Sequence, residues 1–257
     1  MKFSVLLLSF LLFMNTLSAQ NNVVAHRGAW KNEKHPENSI ASLKQAQKLG
    51  CLGSEFDVHQ TADDVLVVNH DPEFNNIHIA DVLFDQLKNQ TLSNGEKLPT
   101  LEALLKTAKK GNSKMRLVCE LKPVKNAEAA HKIAEATVLL VKKLKLENRV
   151  DYISFDYNIM MSLRKLNPKA HLQYLNGEKS PSELNKDGIN GLDYHFSVFK
   201  KKPEWIVEAK KLGMSLNVWT VNSEADIRWF NDQKFDQITT NEPELALKIF
   251  EETNSKK

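Results

Sequence analysis

Two histidines, an arginine, a lysine and three carboxylates stand at or near the ends of short apolar runs in this sequence. Together they are the equipment for phosphate chemistry. Val23-Val24-Ala25 runs into His26-Arg27, Val65-Leu66-Val67-Val68 into Asn69-His70-Asp71, and Leu117-Val118-Cys119 into Glu120-Leu121-Lys122. A charge at the end of a buried strand is delivered to a mouth or cleft, because charge inside a packed core is costly unless paired. Glu55 and Asp57 are spaced i, i+2, so in a strand they share a face, about 6–7 Å apart along the chain. Such a pair repels unless a cation lies between its members. Hard carboxylate oxygens suit Mg2+, Ca2+ or Mn2+. Glu120 adds a third carboxylate, with Lys122 on its face as a further charge for phosphate or as an ion-pair partner. Arg27 offers a planar fork for phosphate oxygens, or pairs with Glu37 or Glu55. His26 and His70 are the expected acid–base pair, one taking a proton from a nucleophile and one giving a proton to a leaving alkoxide. A purely structural cluster would leave charge uncompensated, since the acids outnumber the bases.

Positioning these groups takes strands that end at one level. The spacing of apolar residues predicts strands at 23–26, 53–58, 115–121, 150–155, 170–175, 190–196, 214–220 and 236–240. Helices are expected over 38–49, capped by Asn38 or Ser39 and stopped by Gly50, and over 101–109, 127–144, 157–166, 203–212, 223–232 and 243–252. Val58 to Val68 reads as a β-hairpin turning at Ala62-Asp63-Asp64, which brings His70 back to the level of Glu55 and Asp57. Residues 71–100 form an irregular insertion, bounded as 71–110 when the following helix is included, with a helical turn from Asp81 to Leu87. Eight strands alternating with helices imply a parallel sheet closed into a (β/α)8 TIM barrel, whose active sites lie at the strands' C-terminal ends. An open doubly wound sheet would need a glycine-rich phosphate loop after the first strand, and His26-Arg27-Gly28-Ala29-Trp30 is not one.

Composition excludes disorder, with 42% hydrophobic and 26% charged residues. A net charge of +3 lacks the concentrated basic stripe that nucleic acid would need. Residues 1–19 read as a signal peptide: Lys2, an apolar run from Phe3 to Phe13, and Leu17-Ser18-Ala19 before a cleavage point near Ala19-Gln20. The apolar run is short for a membrane span, so stable membrane insertion is not expected. The expectation is a single domain over 20–257 in an exported protein, periplasmic or secreted. Cys51 and Cys119 fall near opposite ends of the barrel, too far apart to pair, and are expected as buried free thiols.

The ordered set His26-Arg27-Gly28, Pro36-Glu37-Asn38-Ser39, Glu55-Phe56-Asp57, His70-Asp71, Glu120-Leu121-Lys122 and Trp219-Thr220-Val221-Asn222 resembles the glycerophosphodiester phosphodiesterase family over about residues 22 to 250. The resemblance implies hydrolysis of a small-molecule glycerophosphodiester to glycerol 3-phosphate and an alcohol. It implies attack by the substrate's own glycerol hydroxyl through a cyclic phosphate. His26 and His70 would act as acid and base. Glu55, Asp57 and Glu120 would hold one divalent cation, Ca2+ or Mg2+, and Arg27, Lys122 and Trp219 would contact phosphate or substrate. Trp219 serves equally well as core. The family often closes its last strand with T-D-x-P; here Thr240-Asn241-Glu242-Pro243 stands there, a change expected to do little damage. His35, His59, His78, His131, His171 and His195 are expected to be structural or at the surface. The alternatives are a barrel acting on intact lipids, which would need an apolar collar that 71–100 lacks, and a barrel that captures diesters without cleaving them.

Overall fold

Eight parallel strands close on themselves, and the side chains of chemical interest are carried by these strands, by the turns that follow them or, for His70, by the antiparallel return of the hairpin on the second. The computed structural model describes residues 20–112 and 114–255; the signal peptide expected over 1–19 lies outside them. In chain order the first part comprises β1 (Val23–Ala25), α1 (Ile40–Leu49), β2 (Gly53–Gln60), β3 (Leu66–Val68), β4 (Glu73–Phe74), β5 (Ile77–His78), a 3-10 turn Ile79–Asp81, α2 (Phe84–Leu87) and α3 (Leu101–Lys110). There follow β6 (Arg116–Leu121), α4 (Ala127–Leu144), β7 (Val150–Ser154), α5 (Tyr157–Leu166), β8 (His171–Tyr174), α6 (Pro181–Lys186), β9 (Gly191–His195) and α7 (Phe196–Lys201). The chain ends with α8 (Glu204–Lys211), β10 (Ser215–Trp219), α9 (Glu224–Asp232), β11 (Gln237–Thr240) and α10 (Pro243–Asn254). The barrel runs β1-β2-β6-β7-β8-β9-β10-β11, and β11 returns to pair with β1. Among the described residues, no helix is long and apolar enough to cross a membrane.

Local chemistry sets the helix ends. Ser39, Thr100, Asn126, Asp156 and Ser223 each accept a hydrogen bond from a first-turn N–H of the helix they precede, which satisfies a donor with no partner inside the helix. Ser39, not Asn38, is the cap of α1; Asn38 is used elsewhere, as described below. The outer helices bury one stripe each on the barrel, as Ala130, Ile133, Ala134, Thr137 and Val141 of α4 do. Two stretches differ from the sequence expectation. Phe196 opens α7 instead of ending a strand, because the His195 side chain accepts from Ser197 N and turns the chain. The short α6, with a Pro181 start and only Pro181 and Leu184 buried, carries too little apolar pattern to be read.

The predicted hairpin is present. β2 outruns β1, which pairs only with Gly53 and Ser54, and β3 turns back along the overhang with Val58 opposite Val68 and Gln60 opposite Leu66. The insertion that follows has its own small core of Val67, Phe74, Ile79, Leu87 and Leu98. α3 instead packs Leu101, Leu104 and Leu105 into the main barrel core, so the insertion proper ends near residue 100. Cys51 and Cys119 are separate buried thiols.

Inside the barrel, alternate strands contribute side chains in layers of four. Read from the register, Val24, Val118, Gln173 and Asn217 make the middle layer, Glu55, Ile153, Asp193 and Thr239 the next, and His26, Glu120, Leu175 and Trp219 the one above, with Asp57 higher still on β2. The opposite end is stoppered by a polar network. Buried Asp151 accepts from Arg116 Nε at 3.0 Å, from Arg116 Nη2, from His171 Nδ1 at 2.8 Å and from Gln237 Nε2 at 2.9 Å, and Ser215 Oγ lies 3.1 Å from His171 Nε2. Ser215, His171 and Asp151 thus stand in the order of a nucleophile triad. The two-pronged Arg116 contact already neutralises the acid, so the network serves as a plug. Burial alone would raise Asp151, but the bonds from His171 and Arg116 hold it down to about 2. A carboxyl depressed on folding stabilises the fold above its unfolded value near 3.8 and loses that contribution as pH falls through 2. Urea titrations between pH 4 and pH 2 are expected to lose about 2 kcal/mol from this group, at about 1.4 kcal/mol per unit. Asp151→Asn should abolish that part of the slope.

Candidate active site

His26 and Arg27 follow β1 directly and are turned into the mouth by two consecutive left-handed residues, Arg27 at φ 56° and Gly28 at φ 81°. Glycine is required at 28, since a Cβ there would meet Ser42 atoms at 2.4–2.7 Å. The turn aims the Arg27 N–H at Glu55 Oε2, 2.8 Å away. Glu55 and Asp57 point inward from β2, and Glu120 from the adjacent β6, where Asp57 and Glu120 are paired in register. One oxygen from each of the three carboxylates fits within 4.8 Å of the others, and all three residues are buried.

Charge around this trio is unevenly compensated. Lys122 Nζ lies 2.8 Å from both Asp57 Oδ1 and Glu120 Oε1, and Arg27 Nε lies 3.7 Å from Asp57 Oδ2. Asn38 clamps Asp57 from two sides, giving its Nδ2–H to Oδ2 at 2.7 Å and accepting the Asp57 N–H at 3.1 Å. Burial pushes Asp57 up, but Lys122 and Asn38 outweigh it and hold this carboxyl below its ordinary range. Glu55 has one oxygen with no partner, and burial beside Asp57 and Glu120 pushes its carboxyl well up. Burial and then Asp57 push Glu120 up to about 7. Three buried carboxylates with one oxygen left open, and too little positive charge, form a donor set suited to a hard divalent cation.

His26 and His70 border the same cavity, about 150 Å3, with Arg27, Glu55, Glu120 and Lys122 on its polar side. Its apolar side is Ile153, Phe155, Leu175 and Trp219, with the Trp219 ring meeting Phe155 edge-on at 5.4 Å. His70 reaches the cavity from the end of the β3 return. Its Nδ1 is 2.7 Å from Asp71 Oδ1, and His59 Nε2 bonds its main-chain oxygen at 3.2 Å, so His59 helps to fix the returning chain. Every residue expected at the site lines this cavity except Asp57, which is buried beside it against Lys122, Arg27 and Asn38. The sequence does not reveal three supporting groups: Asn38, which reads there only as one of two candidate helix caps, His59 and Asn241.

Asn241 revises one expectation outright. Its Oδ1 lies 2.7 Å from His26 Nδ1, and Asn222 Oδ1 secures it by accepting the Asn241 N–H at 2.9 Å. The change from the family's aspartate therefore touches the histidine itself. An amide oxygen accepts from Nδ1–H and leaves Nε2 as the bare nitrogen. Burial, then Arg27, push the imidazole down to about 4, with no carboxylate at 241 to oppose them. Asn241→Asp should place a negative charge against the ring, favour its protonated form and move the acid limb of the kcat/KM profile to higher pH by about 1 unit or more. A pH–rate series on the two proteins checks this; coincident acid limbs would refute it.

A profile of the Glycerophosphoryl diester phosphodiesterase family matches residues 26–245. The crystal structure of a glycerophosphodiester phosphodiesterase from Parabacteroides distasonis superposes with a TM-score of 0.89 at 46% identity, covering 91% of this chain and 98% of that one. In sequence the chain is 28% identical over 243 residues to a glycerophosphodiester phosphodiesterase of Caldanaerobacter subterraneus, across 88% of this chain and 96% of the relative. An Oleispira antarctica phosphodiesterase, solved with its product sn-glycerol-3-phosphate, shares the fold with a TM-score of 0.77 at 24% identity, covering 90% and 97% of the two chains. With the barrel, the acid trio and this match across most of its length, the chain belongs to the glycerophosphoryl diester phosphodiesterase family and is an enzyme of that class.

Proposed function

We propose that the protein hydrolyses glycerophosphodiesters to glycerol 3-phosphate and an alcohol in a cation-dependent reaction at the cavity bordered by His26 and His70. The supporting observation is convergence: both imidazoles, Arg27 and Lys122 face one small cavity with Glu55 and Glu120 of the acid trio, and Asp57 lies within reach of both carboxylates. Glu55, Asp57 and Glu120 would hold the cation, Ca2+ or Mg2+, which when bound supplies positive charge beside the phosphate oxygens. Arg27 and Lys122 draw the phosphate to the β1–β2–β6 side of the cavity and hold it there. His26, neutral near pH 7 with Nε2 bare, takes the proton of the glycerol 2-hydroxyl as that oxygen attacks phosphorus. His70 gives a proton to the departing alcohol oxygen. Water then opens the cyclic phosphate with the two roles reversed, which returns both rings to their starting states. Trp219 and Phe155 wall the substrate's carbon chain away from solvent.

The test is direct. Purified protein with Mg2+ or Ca2+ should release glycerol 3-phosphate from glycerophosphocholine, measured by a coupled assay. Absence of turnover across a panel of glycerophosphodiesters, with each cation supplied, defeats the reading. Export belongs to the same proposal: the charged start, apolar run and small residues before Ala19 support cleavage near Ala19-Gln20 and action in a periplasm or outside the cell. N-terminal sequencing of the mature protein from its native cell checks this, and an intact Met1 in that product refutes it.

A further inference from the structure

Asp193 is the charged residue on the cavity wall for which this chemistry has no use. It projects inward from β9, is 1% exposed, and its Oδ1 has no hydrogen-bond partner. Its main-chain oxygen, by contrast, is held by Trp219 Nε1 at 2.9 Å, so the backbone is fixed while the carboxyl is left open. A buried carboxyl oxygen without a partner is costly to leave desolvated, and fixed, unsatisfied groups of this kind concentrate where a ligand completes them. The neighbouring wall is apolar, formed by Ile153, Leu175 and Trp219. The layer that holds Asp193 also holds Glu55, four strands away and therefore directly across the barrel.

That placement says which part of a substrate reaches it. Arg27 and Lys122 lie on the far side with the acid trio, so phosphate is drawn there and away from Asp193. The cavity is small, about 150 Å3, and opens to solvent at the mouth; the glycerol half, whose 2-hydroxyl must reach the imidazoles, has first claim on it. The head group therefore stays in the open mouth, and the glycerol half lies inside. With its 2-hydroxyl committed to phosphorus, the glycerol has one free polar group, the terminal hydroxyl. A hydroxyl both gives and takes a hydrogen bond and so satisfies Asp193 whether or not it is ionised, whereas an ammonium head group suits only the carboxylate. Burial pushes the Asp193 carboxyl well above its ordinary range, which favours the hydroxyl further.

We propose that Asp193 binds the terminal hydroxyl of the glycerol half and thereby sets the preference for glycerol esters over esters of simpler diols. The proposal rests on the phosphodiesterase reading above. It is tested by measuring kcat/KM of the wild type, Asp193→Leu and Asp193→Asn, each loaded with Mg2+, on glycerophosphocholine and on the phosphocholine ester of propane-1,2-diol. The diol ester keeps the attacking hydroxyl and lacks only the terminal one. The wild type should favour the glycerol ester by about a hundredfold or more, the scale on which hydrogen-bonding sites reject analogues lacking the bonded group. In Asp193→Leu that ratio should collapse to within a few-fold, with the loss confined to the glycerol ester, while Asp193→Asn, which keeps one acceptor, falls between. Equal losses on both esters, or an unchanged ratio, overturn the proposal; thermal melts identify a variant that fails to fold, and the Asn variant then decides. A wild type that cleaves neither ester defeats the parent reading instead.

Discussion

His70→Ala is expected to lower kcat on glycerophosphocholine by roughly a hundredfold to ten-thousandfold, the range spanned by loss of a positioned proton donor or acceptor. The melting temperature should move by no more than about 2 °C, because the His70 side chain is 40% exposed and its partner is the exposed Asp71. The main-chain bond from His59 survives the substitution, so the β3 return stays in place. A leaving-group series sharpens the assignment. If His70 delivers the proton to the alcohol, replacing choline with p-nitrophenol, which needs no proton to leave, should restore most of the lost rate of the first step, read as the p-nitrophenolate released in a single turnover. His26→Ala should show no such rescue, since the nucleophile must still be deprotonated. An undiminished kcat, or a collapse in melting temperature, would count against the proton-transfer role.

Removing the divalent cation is the second large effect. Chelation should take turnover to background, and Mg2+ or Ca2+ should restore it. The carboxyls of the apo site add a quantitative signature. Glu55 is held well above its ordinary range and Glu120 at about 7, so near pH 7 the apo site retains protons that a cation must displace. Calorimetry in buffers of different ionisation enthalpy should register a release of about one to two protons per cation. Affinity should therefore rise with pH between 6 and 8. The sign for stability follows. Raised carboxyls favour the apo fold at low pH and oppose it as they ionise, so the gain in melting temperature on adding Mg2+ should grow as pH rises. Cation binding without proton release would mean that the trio is fully ionised in the apo protein.

Much of this was legible in the sequence because barrel strands repeat one simple pattern, apolar runs ended by polar residues, and because helix stops such as Gly50 are local. The hairpin could be read too, since Val58 and Val68 must pair if His70 is to return. What escaped was set by contacts between distant segments. Asn38 looks like a cap beside Ser39; only the left-handed turn at 38 and the arrival of β2 make it the clamp on Asp57. Asn241 meets His26 only because β11 closes against β1. Asp193 was within reach: between Leu192 and Tyr194, which face outward, it had to face in. Nothing local marked it as unpaired.

The plug of Arg116, Asp151, His171 and Gln237 has a consequence for traffic. With one end stoppered, substrate and both products share a single doorway. On the proposed reaction the alcohol, lying outermost, would have to depart before a hydrolytic water takes its place, and glycerol 3-phosphate, lying innermost, would go last. An enzyme so arranged releases its products in strict sequence. Glycerol 3-phosphate then competes with incoming substrate for the empty chamber, while an excess of free alcohol returns to the cyclic ester and regenerates diester.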